Sequence, residues 1–202
     1  AALADQGKVT ADTKIKVPGN IHVDGFTISD YWNHGTINLT AGGVISLSSN
    51  LGTIVAAQQM SDEVFHSYLT KFGFGQLSGI DLPEETRGIV TPASQWTRSK
   101  HATTSFGQGI SVNAVQMARG IGAIANGGEM CTPTIADAAI DADGKATSLT
   151  DKQTTRVISR EAASEVTRMM EGVTADNGTA RAAAIKGYRV AGKTGTAWRV
   201  NP

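Results

Sequence analysis

"RVAGKTGTAW", residues 189–198, is the stretch of sequence that decides the fold. Its ends are apolar, whereas its middle is small and polar and carries a lysine, a threonine, a glycine and a second threonine in succession. A fully buried strand keeps large apolar residues throughout, so this pattern predicts a strand whose centre binds something. We predict a strand from Tyr188 to Trp198 and expect it to lie centrally in the main sheet.

The composition of the 202 residues indicates one globular domain with balanced charge. Apolar residues make up 40% and charged residues 18%, which argues against disorder. Basic and acidic residues both number 18, so neither a nucleic acid nor an anionic membrane surface is expected as the main partner. The single Cys131 excludes an intrachain disulfide and a cysteine-based zinc cluster, and the histidines lack metal-binding spacing. No apolar run is long enough to predict a membrane span, and no metal or cofactor is expected.

Capping residues placed before apolar runs predict most of the helices. The predicted N-caps are Thr40, Ser61, Asn113 and Ser159. The corresponding helices are expected to end near Leu47, Phe72, Gly127 and Gly172, and a further helix is predicted from Leu51 to Met60. In the helix after Asn113, one stripe is predicted to face the core, and it consists of Val115, Ala118, Ile121 and Ala125.

The remaining segments are predicted to form loops, short strands and turns. Residues 1–7 have the pattern of a helix tail, and residues 8–35 alternate short apolar pieces with turn-forming residues. Residues 132–150 predict a hairpin that turns at Asp143-Gly144, and residues 180–185 predict a short helix. The predicted order is therefore mostly helical, and the strand of residues 188–198 comes last.

Two short motifs lie on this framework. Lys193-Thr194-Gly195 is a K-T-G triplet on the predicted strand. The pattern S-x-N occurs twice, at Ser48-Ser49-Asn50 between two predicted helices and at Ser111-Val112-Asn113 before another. A K-T-G triplet, a Ser/Asn triplet and S-x-x-K are the three motifs of serine β-lactamases and penicillin-binding proteins. A K-T-G on a late strand, with S-x-N far upstream at a helix junction, therefore indicates acyl-transfer chemistry.

The residues of the strand suit acyl transfer from a peptide that ends in a carboxylate. Lys193 supplies a positive charge that can anchor the carboxylate, and the hydroxyls of Thr194 and Thr196 can donate hydrogen bonds to it or to a nearby carbonyl. Gly195 has no Cβ, so a substrate backbone can lie beside it as an added strand. The Thr196 N–H would then point at the scissile carbonyl as one oxyanion donor.

The residues of the helix junction suit the proton transfer and the amide binding that the reaction also requires. Ser48 can pass a proton to or from the reacting amine, and Asn50 can hold a substrate amide. The simpler alternative gives Lys193 no role beyond that of a solvated strand lysine and makes residues 48–50 an ordinary helix cap. The triplets by themselves leave both interpretations open.

Longer segments extend the similarity well beyond the triplets. They are "VDGFTISD" (23–30), "LTAGGVISLSSNLGTIVAAQQM" (39–60), "FGFGQLSGIDLPEETRG" (72–88), "SFGQGISVNAVQMARGIGAIANGG" (105–128) and "AAIKGYRVAGKTGTA" (183–197). They follow one another as in the transpeptidase domain of class B penicillin-binding proteins, particularly those of cell division, and the chain resembles this family over nearly its whole length. The resemblance implies an α/β fold of the α+β type, the penicillin-binding protein and serine β-lactamase fold. Residues 1–202 would be an incomplete transpeptidase domain, with a helical subdomain and an antiparallel sheet.

The resemblance also assigns the site residues. It implies that Ser48, Lys193 and Thr196 are catalytic, that the substrate contacts Asn50, Thr194 and Gly195, and that Ser111 and Asn113 only start a packing helix. The chain contains no S-x-x-K motif. The resemblance places that serine and lysine upstream of Ala1 and two further strands and a helix after Pro202. We therefore expect a fragment that lacks its nucleophile and is inactive by itself.

The activity implied for the parent protein is that of a peptidoglycan D,D-transpeptidase, which cross-links stem peptides through a serine acyl-enzyme in septal cell-wall synthesis. The implied partners are peptidoglycan stem peptides, β-lactams and cell-division proteins. The implied location is the extracytoplasmic face of the bacterial membrane, with an anchor upstream of Ala1. Three alternatives remain open, namely a β-lactam sensor domain, a serine β-lactamase and a non-enzymatic scaffold of the same fold.

Overall fold

The computed structural model describes residues 1–80, 82–149 and 153–196. Its helices are α1 (Ala2–Asp5), α2 (Ala41–Ser46), α3 (Asn50–Ala57), α4 (Asp62–Lys71), α5 (Arg98–Ser105), α6 (Ala114–Ala125) and α7 (Arg160–Thr174). Its strands are β1 (Lys14–Val17), β2 (Ile21–Val23), β3 (Phe26–Ile28), β4 (Ile37–Thr40), β5 (Glu129–Cys131), β6 (Ala138–Ile140), β7 (Ala146–Ser148) and β8 (Thr154–Arg156). Single 3-10 turns cover Ala93–Gln95 and Arg181–Ala183. Within the described ranges, no helix is both long and apolar enough to cross a membrane.

The predicted helix caps are confirmed. Thr40, Ser61, Asn113 and Ser159 are the N-caps of α2, α4, α6 and α7, and each side chain accepts a hydrogen bond from a backbone N–H of the first turn. Such a cap contributes about 0.5–2 kcal/mol because it satisfies an N–H that has no partner within the helix. The predicted ends differ by a few residues: α3 stops at Ala57 rather than Met60, and α7 continues to Thr174.

Helix α7 packs against two hydrophobic cores. Its Met169 joins a core of β1, α2 and α3 that includes Val17, Val44 and Leu51. Its N-terminal half, with Ala162 and Ala163, joins a second core with side chains of α4, α6 and β5. Leu51 is fully buried, and complete burial of such a side chain contributes about 1.5–3 kcal/mol. Because α7 is packed in both cores, its C-terminal end is held in place and can position the residues that follow it.

The strands form antiparallel pairs. β1 pairs with β4, β2 with β3, β5 with β8 and β6 with β7. The β2–β3 hairpin turns at Asp24 and Gly25, which both have a positive φ, as a two-residue hairpin requires. The predicted hairpin at Asp143-Gly144 is confirmed as β6–β7. Strand β4 was not predicted, and the short helix predicted over residues 180–185 is only the 3-10 turn.

The prediction for the buried face of α6 was wrong. Ile121 is 42% exposed, and Ala118 and Ala125 are exposed as well, whereas Gln116, Gly120 and Ala123 are buried. The reason is the polar bonding of Gln116. Its amide donates to the carbonyl oxygens of Gln76 and Arg87 and accepts from the Asn113 N–H, so this helix face turns inward. Apolar periodicity could not reveal this, because the residue that marks the buried face, Gln116, is polar.

The strand predicted from Tyr188 to Trp198 is not a strand in the described part of the chain, which ends at Thr196. Residues 188–196 have no ladder partner among the described residues, and a strand assignment requires one. Trp198 lies outside the described residues. The segment is nevertheless fixed in place by hydrogen bonds to α7 and to Ser48 in the turn after α2.

Candidate active site

The K-T-G and S-x-N motifs meet in the structure. Lys193 Nζ donates a hydrogen bond to Ser48 Oγ at 2.7 Å, although the two residues are 145 positions apart in the sequence. The same ammonium lies 3.1 Å from the Thr194 carbonyl oxygen and 3.3 Å from Thr194 Oγ1. Although the Lys193 side chain as a whole is exposed, its ammonium is crowded by these groups. This desolvation lowers the pKa of Lys193 below its ordinary value.

Ser48 lies in the turn between α2 and α3 and has a left-handed backbone. Its φ is 55°, which is uncommon for a residue with a Cβ. The turn is fixed on both sides: Ser48 N–H donates to Ile45 O at 3.2 Å, and Ser49 N–H donates to Val44 O at 3.0 Å. Ser49 is the N-cap of α3, and its hydroxyl accepts from Gly52 N–H. The helix junction therefore determines where the Ser48 hydroxyl lies.

The segment with the K-T-G triplet is attached to the end of α7. Arg189 pairs with Glu171 at 2.7 Å, and Thr174 Oγ1 donates to Val190 O at 2.6 Å. Gly192 N–H donates to Met170 O at 3.2 Å. These bonds hold residues 189–192 along α7 and place Lys193 at the end of α2.

Thr179 connects the K-T-G segment to α2. Both its N–H and its hydroxyl lie 3.2 Å from the carbonyl oxygen of Ser46, the last residue of α2. Its hydroxyl also shares a 3.1 Å hydrogen bond with Thr194 Oγ1. The preceding Gly178 packs so tightly over the end of α7 that a Cβ there would collide with the carbonyl oxygens of Gly172 and Val173. Thr179 was not identified from the sequence.

The other residues predicted for the site are also placed. Thr196 and Gly195 are exposed, and a Cβ on Gly195 would meet nothing within 4 Å. The Thr196 carbonyl oxygen accepts from Gln108 Nε2 at 3.3 Å, a contact that the sequence did not reveal. Asn50 is the first residue of α3, and its Nδ2 donates to Ser29 O at 3.4 Å.

The second S-x-N lies elsewhere and has a structural role. Asn113 caps α6 with a reciprocal bond to Gln116, and its Nδ2 also donates to Thr86 O at 2.7 Å. Ser111 forms a backbone bridge with Ile89. In the part of the chain that the structure describes, no three histidine, cysteine or acidic side chains converge as a metal site would require.

The comparisons with known proteins identify the family. The model of the penicillin-binding protein transpeptidase domain matches residues 1–202. The chain belongs to this family. It is 39% identical to penicillin-binding protein PbpB of Mycolicibacterium smegmatis over 208 residues, which cover 100% of this chain and 32% of that protein. It is 32% identical to the peptidoglycan D,D-transpeptidase FtsI of Escherichia coli over 180 residues, which cover 89% of this chain and 29% of that protein.

Solved structures agree with this assignment. The structure of penicillin-binding protein 3 from Mycobacterium tuberculosis in complex with ampicillin has a TM-score of 0.94 at 38% identity, covering 100% of this chain and 46% of the other. The transpeptidase domain of Burkholderia pseudomallei penicillin-binding protein 3 has a TM-score of 0.83 at 37% identity, covering 98% of this chain and 57% of the other. The predicted fold class and the resemblance to class B penicillin-binding proteins are thus confirmed. The chain spans about a third of the length of its curated mycobacterial relatives.

Proposed function

We propose that the protein containing this chain is a peptidoglycan D,D-transpeptidase that cross-links stem peptides in septal cell-wall synthesis. The observation that carries the proposal is the 2.7 Å hydrogen bond from Lys193 Nζ to Ser48 Oγ, which unites the two family motifs at one place. Residues 1–202 would supply the helical part and the K-T-G segment of one transpeptidase domain.

Lys193 and Thr196 would anchor the substrate carboxylate. Among the described residues, the Lys193 ammonium contacts Ser48 and the two oxygens of Thr194, and none of these is a carboxylate. Its charge is therefore available for the C-terminal carboxylate of a stem peptide or for the carboxylate of a β-lactam. The exposed Thr196 hydroxyl would donate a second hydrogen bond, and Thr194, held by Thr179, would keep the ammonium in place.

The exposed K-T-G segment would bind the substrate backbone. In the described part of the chain, no strand pairs with residues 188–196, and a Cβ on Gly195 would meet nothing within 4 Å. An extended peptide can therefore lie along this segment with its carbonyl near the Thr196 N–H. Asn50, at the start of α3, would bind an amide of the same peptide.

Ser48 would transfer the proton. Its oxygen accepts from Lys193, so its own O–H is available to donate to the nitrogen of the breaking amide bond. The proton that Ser48 gives up is replaced by the one that the attacking serine loses, so Lys193 keeps the charge that anchors the carboxylate.

The nucleophile would be a serine of an S-x-x-K motif outside these 202 residues, which contain no such motif. The hydroxyl of that serine loses its proton as its oxygen attacks the carbonyl carbon of the D-Ala–D-Ala bond, the C–N bond breaks, and the terminal D-Ala leaves as an amine that gains a proton. The amine of a neighbouring stem then attacks the ester and loses a proton, and the serine oxygen leaves and is reprotonated.

The reaction takes place on the extracytoplasmic face of the membrane, where cell-division proteins would be its partners.

The test uses the product of the complete reading frame, here called the full-length protein. A fluorescent penicillin should acylate it, and the acyl-enzyme should persist for many minutes. Rapid release of hydrolysed penicillin would instead indicate a serine β-lactamase, and absence of labelling would indicate a non-enzymatic scaffold. A stable adduct without any release of D-Ala from stem peptides would indicate a β-lactam sensor.

A further inference from the structure

We propose that Asp30 is a positioning residue for the catalytic Ser48–Asn50 turn and acts through the hydroxyl of Ser49, with His34 as its partner. The inference rests on the proposed function, because it concerns how the same site is held. Asp30 ends the segment of residues 23–30 but belongs to none of the catalytic triplets, and it lies in the loop after β3.

Asp30 is buried, and each of its carboxylate oxygens accepts a hydrogen bond from a residue next to Asn50. It is only 7% exposed. Its Oδ2 accepts from Ser49 Oγ at 2.6 Å, and its Oδ1 accepts from Leu51 N–H at 3.0 Å. The two donors lie on either side of Asn50. A buried carboxylate is costly unless it is hydrogen-bonded, so these contacts tie the loop firmly to the start of α3.

Ser49 transmits this constraint to Ser48. Ser49 is 1% exposed, and its hydroxyl both donates to Asp30 and accepts from Gly52 N–H at 2.9 Å. Its backbone N–H is bound to Val44 O. Ser48, directly before it, has the uncommon φ of 55° and reaches Lys193. A left-handed non-glycine residue persists only where its surroundings hold it, and the fixed Ser49 is part of those surroundings.

The loop that carries Asp30 supports Asn50 as well. Ser29, the residue before Asp30, accepts a hydrogen bond from Asn50 Nδ2 through its carbonyl oxygen at 3.4 Å. Residues 29 and 30 therefore contact each of the three residues that follow Ser48. A change in Asp30 should shift the turn as a unit rather than one side chain alone.

His34 completes the arrangement from the other side of Asp30. Its Nε2 lies 3.1 Å from Asp30 Oδ2, and its Nδ1 lies 2.6 Å from the Gly35 carbonyl oxygen. Both neighbours are acceptors, so both ring nitrogens must carry protons for both bonds to form. The bond to the Gly35 carbonyl, followed by that to Asp30, raises the pKa of His34. The imidazolium would balance the buried charge of Asp30, and Trp32 packs beside the ring.

The test compares Asp30→Asn and Ser49→Ala with Asp5→Asn in the full-length protein. Asp5 is a matched control, because its carboxylate likewise accepts from a backbone N–H at a helix start, that of Ser159, and from a hydroxyl, that of Tyr68. The readout is the second-order rate constant of acylation by a fluorescent penicillin, normalised to folded protein. Each of the two test variants should slow acylation roughly ten- to a hundredfold, because a small misplacement of catalytic groups has that effect. Asp5→Asn should stay within about twofold of wild type.

A double-mutant cycle separates positioning from general loosening. In a Ser48→Ala background, Ser49→Ala should slow acylation less than about threefold, because the group that it positions is already absent. An equal slowing in both backgrounds, or unchanged acylation in Asp30→Asn and Ser49→Ala, would overturn the inference. If Asp30→Asn does not fold, Ser49→Ala decides the question alone. Wild-type protein that fails to acylate would overturn the proposed function instead.

Discussion

Lys193 Nζ lies 2.7 Å from Ser48 Oγ, and this contact joins two residues that are 145 positions apart in the sequence. Each partner is held by its own set of bonds. Ser48 is fixed by the junction of α2 and α3, whereas Lys193 follows a segment that is bound to α7. Thr179 forms hydrogen bonds both with Ser46 O in α2 and with Thr194 Oγ1. It therefore holds the K-T-G segment at a fixed distance from the end of α2.

Removal of the Lys193 charge should slow acylation. In Lys193→Ala, the substrate carboxylate loses one charge-assisted contact worth about 1.5–3 kcal/mol, or roughly ten- to a hundredfold in rate. Stopped-flow acylation of the full-length protein by a fluorescent penicillin measures the effect. Lys186→Ala, which removes an exposed lysine seven positions earlier, is the control and should match wild type. If Lys193→Ala is acylated as fast as that control, Lys193 does not bind the substrate carboxylate.

The two S-x-N triplets should respond differently to the same substitution. Ser48→Ala removes the hydroxyl that contacts Lys193, so acylation should slow by roughly a hundredfold or more, as for loss of a proton-transfer group. Ser111→Ala leaves the backbone bridge to Ile89 intact and should change the rate by less than about twofold. The same labelling assay compares them. The reverse order of effects would show that the wrong triplet has been assigned to catalysis.

The charge of His34 should make part of the stability depend on pH. Its pKa is raised in the folded protein above the ordinary value of 6.5, so the folded state binds this proton more tightly than the unfolded state. The stabilisation is therefore fully present below pH 6.5 and is lost as the pH rises through the raised pKa. His34→Gln should lower the melting temperature of the full-length protein more at about pH 6 than at about pH 8.5. Equal losses at both pH values would contradict the charged pairing with Asp30.

The tight turn at Gly178 should be needed for the position of Thr179. A Cβ at Gly178 would meet backbone oxygens at the end of α7, which cannot move aside as a side chain could. Gly178→Ala should therefore destabilise the protein by about 1–3 kcal/mol and should also slow acylation. Gly122→Ala in α6 is the control, since its Cβ would meet nothing within 4 Å, and it should be neutral or stabilising. Urea unfolding of both variants measures the difference, and equal stabilities would contradict this role for Gly178.

The 202-residue chain expressed alone should not form a penicilloyl adduct. It contains Ser48 and Lys193 but no S-x-x-K serine. Intact-mass measurement after incubation with benzylpenicillin tests this, and the full-length protein is the positive control. An adduct that maps to any of these residues would show that the nucleophile lies within the chain.

The features that could be predicted from the sequence are those that depend on local chemistry or on motifs. Thr40 and Ser159 cap helices through bonds three residues away, so the sequence is enough to identify them. The motifs likewise predicted that Ser48 and Lys193 belong together. Thr179 escaped prediction because its partners, at Ser46 and Thr194, are distant in the sequence.

Other features depended on tertiary contacts that no local pattern records. Helix α5 was not predicted, because it is rich in polar residues and has no apolar stripe, although Ala102 is buried. Asp30 lies in the loop after a short strand, where an acidic residue is common and gives no signal of a special role. Only folding brings it to Ser49. The buried face of α6 was predicted wrongly because the buried Gln116 is polar.

Release of D-Ala tests the central claim most directly. The full-length protein is incubated with a glycan strand that carries pentapeptide stems ending in D-Ala–D-Ala, and free D-Ala and cross-linked stems are quantified. The account predicts that both products form in equal amounts, that Lys193→Ala and Ser48→Ala reduce both, and that prior acylation by a β-lactam abolishes both. Acylation by penicillin without any D-Ala release or cross-link would contradict the assignment of a transpeptidase.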